Sequence, residues 1–308
     1  MSATAAAVAP EEAGPVKEET PFRRFVREFA ESKMAVLGLL LVVIIALLAI
    51  LAPFITPQDP YDLAQLDIMD GRLPPGAMNG AGTMTYWLGT DDQGRDMLSG
   101  IIYGLRISLL VGAGSALIAG VIGSAIGLIA AYVGGKIETF LMRLVDLQLS
   151  FPAILVALMI LAFLGKGVLN VTLALVIVEW ARYARTARSA ALVERRREYI
   201  EAAECLALPR WRVLFRHLLP NCLPPLIVIG TIQVARAITL EATLSFLGLG
   251  VPITEPSLGL LIANGYQYML SGKYWISFYP GIALLVTIVA INLVGDHLRD
   301  VMNPRLKR

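Results

Sequence analysis

Charge is scarce in this chain. Asp, Glu, Lys and Arg make up only 16% of its 308 residues, against 56% hydrophobic residues and a mean hydropathy of +0.68. Soluble domains carry about a quarter charged residues, so water is a poor solvent for this surface and lipid is the one that fits. Cysteine and histidine are also rare, with two of each. Cys205 and Cys222 make no CxxC pair, and neither His217 nor His297 has a ligand neighbour at metal spacing. These absences argue against a disulfide framework and against a metal site. The net charge of +2 is too small to mark a nucleic-acid partner.

Catalytic signatures are missing as well. A phosphate-binding loop reads GxxxxGK[ST]. The Gly-Lys pairs at 135–136, 165–166 and 272–273 are followed by Ile137, Gly167 and Tyr274, so none fits. No GxSxG or HExxH occurs. A membrane enzyme needs convergent nucleophiles or ligands, and none is visible. The chain has no motif for burning ATP itself. Two classes remain: a subunit driven by a separate ATPase, or a secondary transporter using an ion gradient, with Arg236 and Glu241 as its intramembrane charge relay.

Long apolar runs are what the sequence does have. A bilayer core of about 30 Å takes roughly 20 residues of helix. Met34–Ile55, Ile107–Gly135, Leu147–Gly165 and Tyr274–Gly295 meet that length. Gly167–Val178 and Cys222–Leu249 are weaker spans, the first cut short by Glu179 and the second carrying Arg236 and Glu241. The expected fold is all-α, a polytopic membrane protein of about six transmembrane helices. If every span crosses, 20 of the 26 basic residues fall on one side, and an excess of Lys and Arg marks the cytoplasm. Both termini are therefore expected to be cytoplasmic.

This gives a cytoplasmic tail at 1–33, a first transmembrane helix at 34–55 and an extracytoplasmic loop at 56–105. A five-helix core follows at 106–297, with a basic cytoplasmic segment at 182–219, and a cytoplasmic tail at 298–308. Residues 2–20, rich in Ala, Pro and Glu without an apolar core, read as a disordered tail, not a cleaved signal. Turn signals at Pro74-Pro75-Gly76 and Asn79-Gly80 predict a small folded element in the outer loop. Gly112, Gly114, Gly120, Gly123 and Gly127 make the second span a close-packing helix, with GxxxG at 123–127.

The segment 198–221, EYIEAAECLALPRWRVLFRHLLPN, predicts two short amphipathic helices. Tyr199, Ala203 and Leu206 make one apolar face. After Pro209, Trp211, Leu214, Phe215 and Leu218 make a second, which Pro220 is expected to stop. Such helices serve either to lie on lipid headgroups or to dock into a partner protein. Arg236 and Glu241, five residues apart, are pathway residues or interhelical polar glue.

Glu201-Ala202-Ala203 followed by His217-Leu218-Leu219-Pro220-Asn221 resembles the EAA loop of ABC-importer permeases. The family usually has Gly where this chain has Ala207, and the turn here falls to Leu208-Pro209. Leu88-Gly89-Thr90-Asp91-Asp92, Gly94-Arg95-Asp96, Ser245–Gly250 and the ending Asn303-Pro304-Arg305-Leu306 are similar to the C-type permeases of the dipeptide/oligopeptide/nickel group. The resemblance runs from about Arg23 to the C-terminus. It implies the type I ABC-importer permease fold and a place in the bacterial plasma (inner) membrane. Its implied partners are a homologous second permease subunit, two ABC ATPase subunits carrying ATP and Mg, and an extracytoplasmic substrate-binding protein. No cofactor of this chain's own is implied. Glu201, Ala202, Ala203, Ala207 and Pro209 become the expected ATPase-coupling residues, and peptides the default substrate.

Overall fold

The computed structural model describes residues 20–302. The proposed tail at 2–19 with Lys17, and the ending Asn303–Arg308, lie outside the described residues. A short basic helix α1 (Pro21–Ala30) leads into α2 (Lys33–Ile55), capped by Ser32, whose hydroxyl accepts from the Ala35 N–H. The bundle continues with α3 (Met97–Val133), α4 (Gly135–Ser150), α5 (Ala153–Leu164) and α6 (Val168–Glu194). Two short cytoplasmic-segment helices follow, α7 (Glu198–Cys205) and α8 (Arg210–Arg212). The long α9 (Leu219–Phe246), the short α10 (Leu258–Tyr266) and α11 (Trp275–Met302) complete it.

Four stretches are long and apolar enough to span a bilayer: α2, α3, the continuous run Arg210–Phe246 and α11. The expected span Leu147–Gly165 is corrected: it is two helices meeting at 90°, broken at Phe151-Pro152. Proline pushes the residue before it out of the helical region and lacks an amide hydrogen, and Phe151 is accordingly extended (φ −94°, ψ 143°). The α4–α5 pair counts as one broken span. Helix α6 has 27 residues, ample for a crossing, but carries Glu179, Arg182 and Arg185 within its length. Together these make about six crossings.

Boundaries shift in three further places. Helix α3 begins ten residues before Ile107, because Asp96 caps it and Arg106 sits inside the helix on an exposed face; the outer loop therefore ends at 96 rather than 105. Pro220 does not stop the second cytoplasmic helix. A π-helical turn at Val213–Leu218 widens the chain just ahead of it, and the proline takes the first turn of α9, where no amide hydrogen is required. Helix α11 runs on to Met302 through the start of the expected tail.

Close helix contact holds the core. Cβ atoms added at Gly123 and Gly127 would collide with the backbone carbonyls of Trp180 and Ala184, so α3 and α6 approach backbone to backbone there. Gly114 of the same run packs against nothing. The outer loop folds as expected into a small element, with β1 (Ala77–Met78) pairing antiparallel with β2 (Thr85–Tyr86) and the Asn79 side chain accepting from the Thr83 and Met84 amides.

Candidate functional site

Two parts of the molecule carry functional promise: the basic segment after α6 and the polar groups inside the bundle. In the first, Arg195 swings under the bundle, donating to the Ala131 carbonyl at 2.9 Å and stacking over Tyr132. Helix α7 then starts, with Tyr199 donating to Glu194 at 2.8 Å. Burial first, then the neighbouring Glu194 carboxylate, holds the Tyr199 phenol above its ordinary value. Ile200 and Ala203 are buried in a cluster with Leu128, Ala131, Ala187, Ala191, Val213, Leu218 and Cys222, so α7 is seated on the π-helical turn at Val213–Leu218 within a cluster that α3, α6 and α9 also line. Burying Ile200 alone stabilises that seat by about 1.5–3 kcal/mol.

The inward face of α7 is therefore Ile200 and Ala203. The expected Tyr199–Ala203–Leu206 face is corrected, since Leu206 is 74% exposed and Tyr199 38%. Ala203 points into the chain's own core and is not free to touch another protein, whereas Glu201, Ala202, Glu204 and Cys205 face outward. After the helix, the Leu208 amide closes back on the Ala203 carbonyl at 3.2 Å, and Ala207 takes a left-handed conformation with φ +48°. That is the conformation for which glycine is favoured, and alanine adopts it at a cost of roughly 1–2 kcal/mol. Pro209 then opens α8, and Trp211 stands 63% exposed beside the turn. On the neighbouring face, Arg188 and Arg185 of α6 reach Glu138 (2.7 Å) and Asp146 (2.8 Å) of α4.

Inside the bundle, Arg236 and Glu241 are not brought together. Glu241 is fully buried, and its two carboxylate oxygens accept from Ser108 of α3 (2.9 Å) and Ser245 of α9 (2.8 Å), with Ser257 at the start of α10 also in range. It is an interhelical node. Arg236 lies exposed on another face of α9. Helix α6, which packs against α9, carries Glu179 and Arg182. Glu179 is fully buried, and among the described residues neither of its oxygens has a hydrogen-bond partner; nor do the Arg182 Nη1 and the buried Gln233 amide nitrogen. Sequence reading used Glu179 only as the end of an apolar run and Arg182 only as a loop charge. The signal that would have found them is their i, i+3 spacing within a helix long enough to cross.

The outer-loop motif is structural. Asp91 accepts from the Gln93 and Arg95 amides, and Asp96 caps α3 by accepting from Ser99. Arg95, 1% exposed, donates to the Ile253 carbonyl 158 residues on, pinning the loop to the α9–α10 connection. Burial raises the Asp91 carboxyl to about 6.

Comparison with known proteins places these features. Residues 119–308 match the family described as binding-protein-dependent transport system inner membrane component, and residues 20–75 match the N-terminal TM domain of oligopeptide transport permease C. The chain is 38% identical to the dipeptide transport system permease protein DppC of Haemophilus influenzae, over 94% of this chain and 97% of that protein. It is 40% identical to the Escherichia coli K12 protein of the same description, over 94% and 95%. A putative peptide transport system permease protein of Brucella suis is 41% identical over 88% of each chain. Among solved structures, a chain of the inward-facing MetNI methionine ABC transporter superposes with a TM-score of 0.56, covering 67% of this chain and 98% of that one at 20% identity. That likeness is one of fold.

Proposed function

We propose, from the premise that this chain belongs to the binding-protein-dependent transport system inner membrane components, that it is the C-type permease subunit of an ATP-driven importer of dipeptides or oligopeptides. In this reading a homologous second permease subunit completes the pathway and two ATPase subunits hold ATP and Mg on the cytoplasmic side. A substrate-binding protein delivers solute from outside, and both termini are cytoplasmic. ATP binding closes the ATPases, α7 moves with them, and the pathway changes the side to which it opens. A cycle of this kind is driven only if the ligands bind the two states differently.

The observation that carries the coupling step is the two-sidedness of α7. Its inner face, Ile200 and Ala203, is buried against the π-helical turn at Val213–Leu218, in a cluster that α3, α6 and α9 also line. Its outer face, Glu201, Ala202, Glu204, Cys205 and Leu206, is bare, and beyond it Ala207 and Pro209 set the turn into exposed Trp211. Exposed Leu206 and Trp211 beside Glu201 and Glu204 give that face both apolar and acidic groups for a partner to meet. A push on the outer face is transmitted by the inner one.

Cys205 supplies the test, because it is exposed while Cys222 is buried. A thiol-specific crosslinker on the assembled complex is expected to join Cys205 to an ATPase subunit, and Ala202→Trp to reduce ATP-driven uptake at normal complex abundance. Crosslinks to lipid alone, with uptake unchanged in Ala202→Trp, would sink the coupling role and leave α7 as a membrane-surface helix.

A further inference from the structure

Helix α6 begins and α9 ends on the same side, since the Gly167 amide donates to the Gly250 carbonyl at 3.2 Å. Counted inward from Val168 and from Phe246 at 1.5 Å per residue, Glu179 and Arg236 both lie about 15 Å deep. That is near the middle of a bilayer core of about 30 Å. Arg236 is exposed there. A guanidinium at that depth is too far from either surface for its stem to carry it into water, and lipid tails solvate it poorly. The face that bears Arg236 therefore meets protein or an aqueous pathway.

Helix α9, which carries Arg236, packs against α6, which carries Glu179 and, one turn on, Arg182. Among the described residues no ion pair within 4 Å joins Glu179 to either arginine. Glu179 is fully buried with both oxygens unpartnered, and the Gln233 amide nitrogen, 1% exposed one turn before Ala237, is unpartnered too. Contrast Glu241, about 8 Å in from the same end by the same count, where every oxygen is taken. An apolar groove of about 630 Å³ between α3 and α9, floored by Tyr183, runs from Phe215 to Val234 and stops two residues short of Arg236. By that count the exposed Arg236 and the unpartnered Glu179 lie at similar distances from the shared end of α6 and α9.

We propose that Arg236, backed by Arg182, is a transit site for the carboxylate of the translocated solute, and that Glu179 is the built-in counter-charge that keeps the binding weak. The inference rests on the peptide-importer reading and adds to it the part of the substrate that is recognised inside the membrane. A free peptide always presents a terminal carboxylate, whatever its side chains, so one arginine serves many sequences. Glu179 limits the depth of the well: a translocation site must hold its ligand loosely enough to let it go.

The test uses the complete importer in proteoliposomes with saturating binding protein. It compares uptake of a dipeptide with uptake of the same dipeptide as its C-terminal amide. Both substrates meet the same binding protein in every variant, so a change in their ratio reports the membrane step. In Arg236→Gln the free-acid-to-amide ratio is expected to fall about tenfold or more, the loss of one charge-assisted hydrogen bond. Complex abundance should be unchanged. Arg236→Lys should stay within about threefold of the parent. An unchanged ratio in Arg236→Gln, with the parent importing dipeptide normally, overturns the inference alone. Loss of assembly in Arg236→Gln that is rescued by reversing an acidic residue of the second permease subunit also overturns it, since the carboxylate is then the partner's. A parent complex that imports no peptide removes the peptide reading, and the inference with it.

Discussion

Two carboxylates are fully buried within the membrane-crossing part of this protein, and they are held in opposite ways. Glu241 accepts hydrogen bonds from serines on two helices, with a third hydroxyl in range, and so joins α3, α9 and the start of α10. Among the described residues Glu179 has no hydrogen-bond partner, with Arg182 one turn along the same helix and the exposed Arg236 on the neighbouring α9. The first is polar glue, a use that helix bundles make of buried polar groups. The second is unsatisfied by its own fold, and a buried polar group in that state points to something the chain does not itself contain. Burial alone does not distinguish the two; the partners do.

The comparison is broken or sharpened by substitution. The largest effect is expected for Glu241→Ala, which strands the hydroxyls of Ser108 and Ser245 at the helix junction. A loss of about 2–4 kcal/mol is expected, read as reduced abundance and a lower melting temperature of the purified complex. Unchanged abundance would erase the distinction between the acids. A third buried acid, Asp91 in the outer loop, extends the comparison to a group outside the spans. Its carboxyl, raised by burial to about 6, binds its proton more tightly in the folded loop than in the unfolded chain. Loop stability is therefore greatest below the unfolded value near 4 and falls as pH rises to about 6. A total on the order of 1–3 kcal/mol is expected. Hydrogen exchange of residues 88–96 measured across pH 4 to 7 should show it, and Asp91→Asn should flatten it.

Smaller effects follow at the turn and at Glu241 itself. Ala207→Gly relieves the left-handed alanine and should stabilise the segment by up to about 1 kcal/mol, visible as greater exchange protection of the Leu208 amide. Destabilisation instead would mean that the turn is set by something other than local backbone strain. Glu241→Gln keeps the shape and one acceptor oxygen. A change under about 1 kcal/mol is expected, with uptake little altered. A large loss of uptake at normal abundance would place Glu241 with Glu179 and dissolve the contrast.

Much of this was legible in the sequence. Apolar length revealed the spans, and the turn residues of the outer loop revealed its hairpin. The Glu201–Ala203 motif located α7, but the turn expected at Leu208-Pro209 is made instead by Ala207, which takes the left-handed conformation usually left to glycine. Illegible features were those in which a local signal was overridden. Pro220 reads as a stop, yet the π-helical turn ahead of it lets the helix continue. Phe151-Pro152 breaks a run whose hydropathy is unbroken. Ala203 sits on an apolar stripe that suits either an inner or an outer face, and only the packing of α3 and α9 decides between them. Glu179 and Arg182 were hidden because a charge in a hydropathy profile looks like the end of a span rather than its contents.

The most direct measurement of the central claim is solute uptake into proteoliposomes, with energy source and subunits varied independently. The account expects dipeptide to accumulate only when the ATPase subunits and ATP are present inside and the binding protein outside, and an imposed ion gradient to drive nothing. Gradient-driven uptake by this chain alone, without ATP, would contradict it and make the protein a secondary transporter.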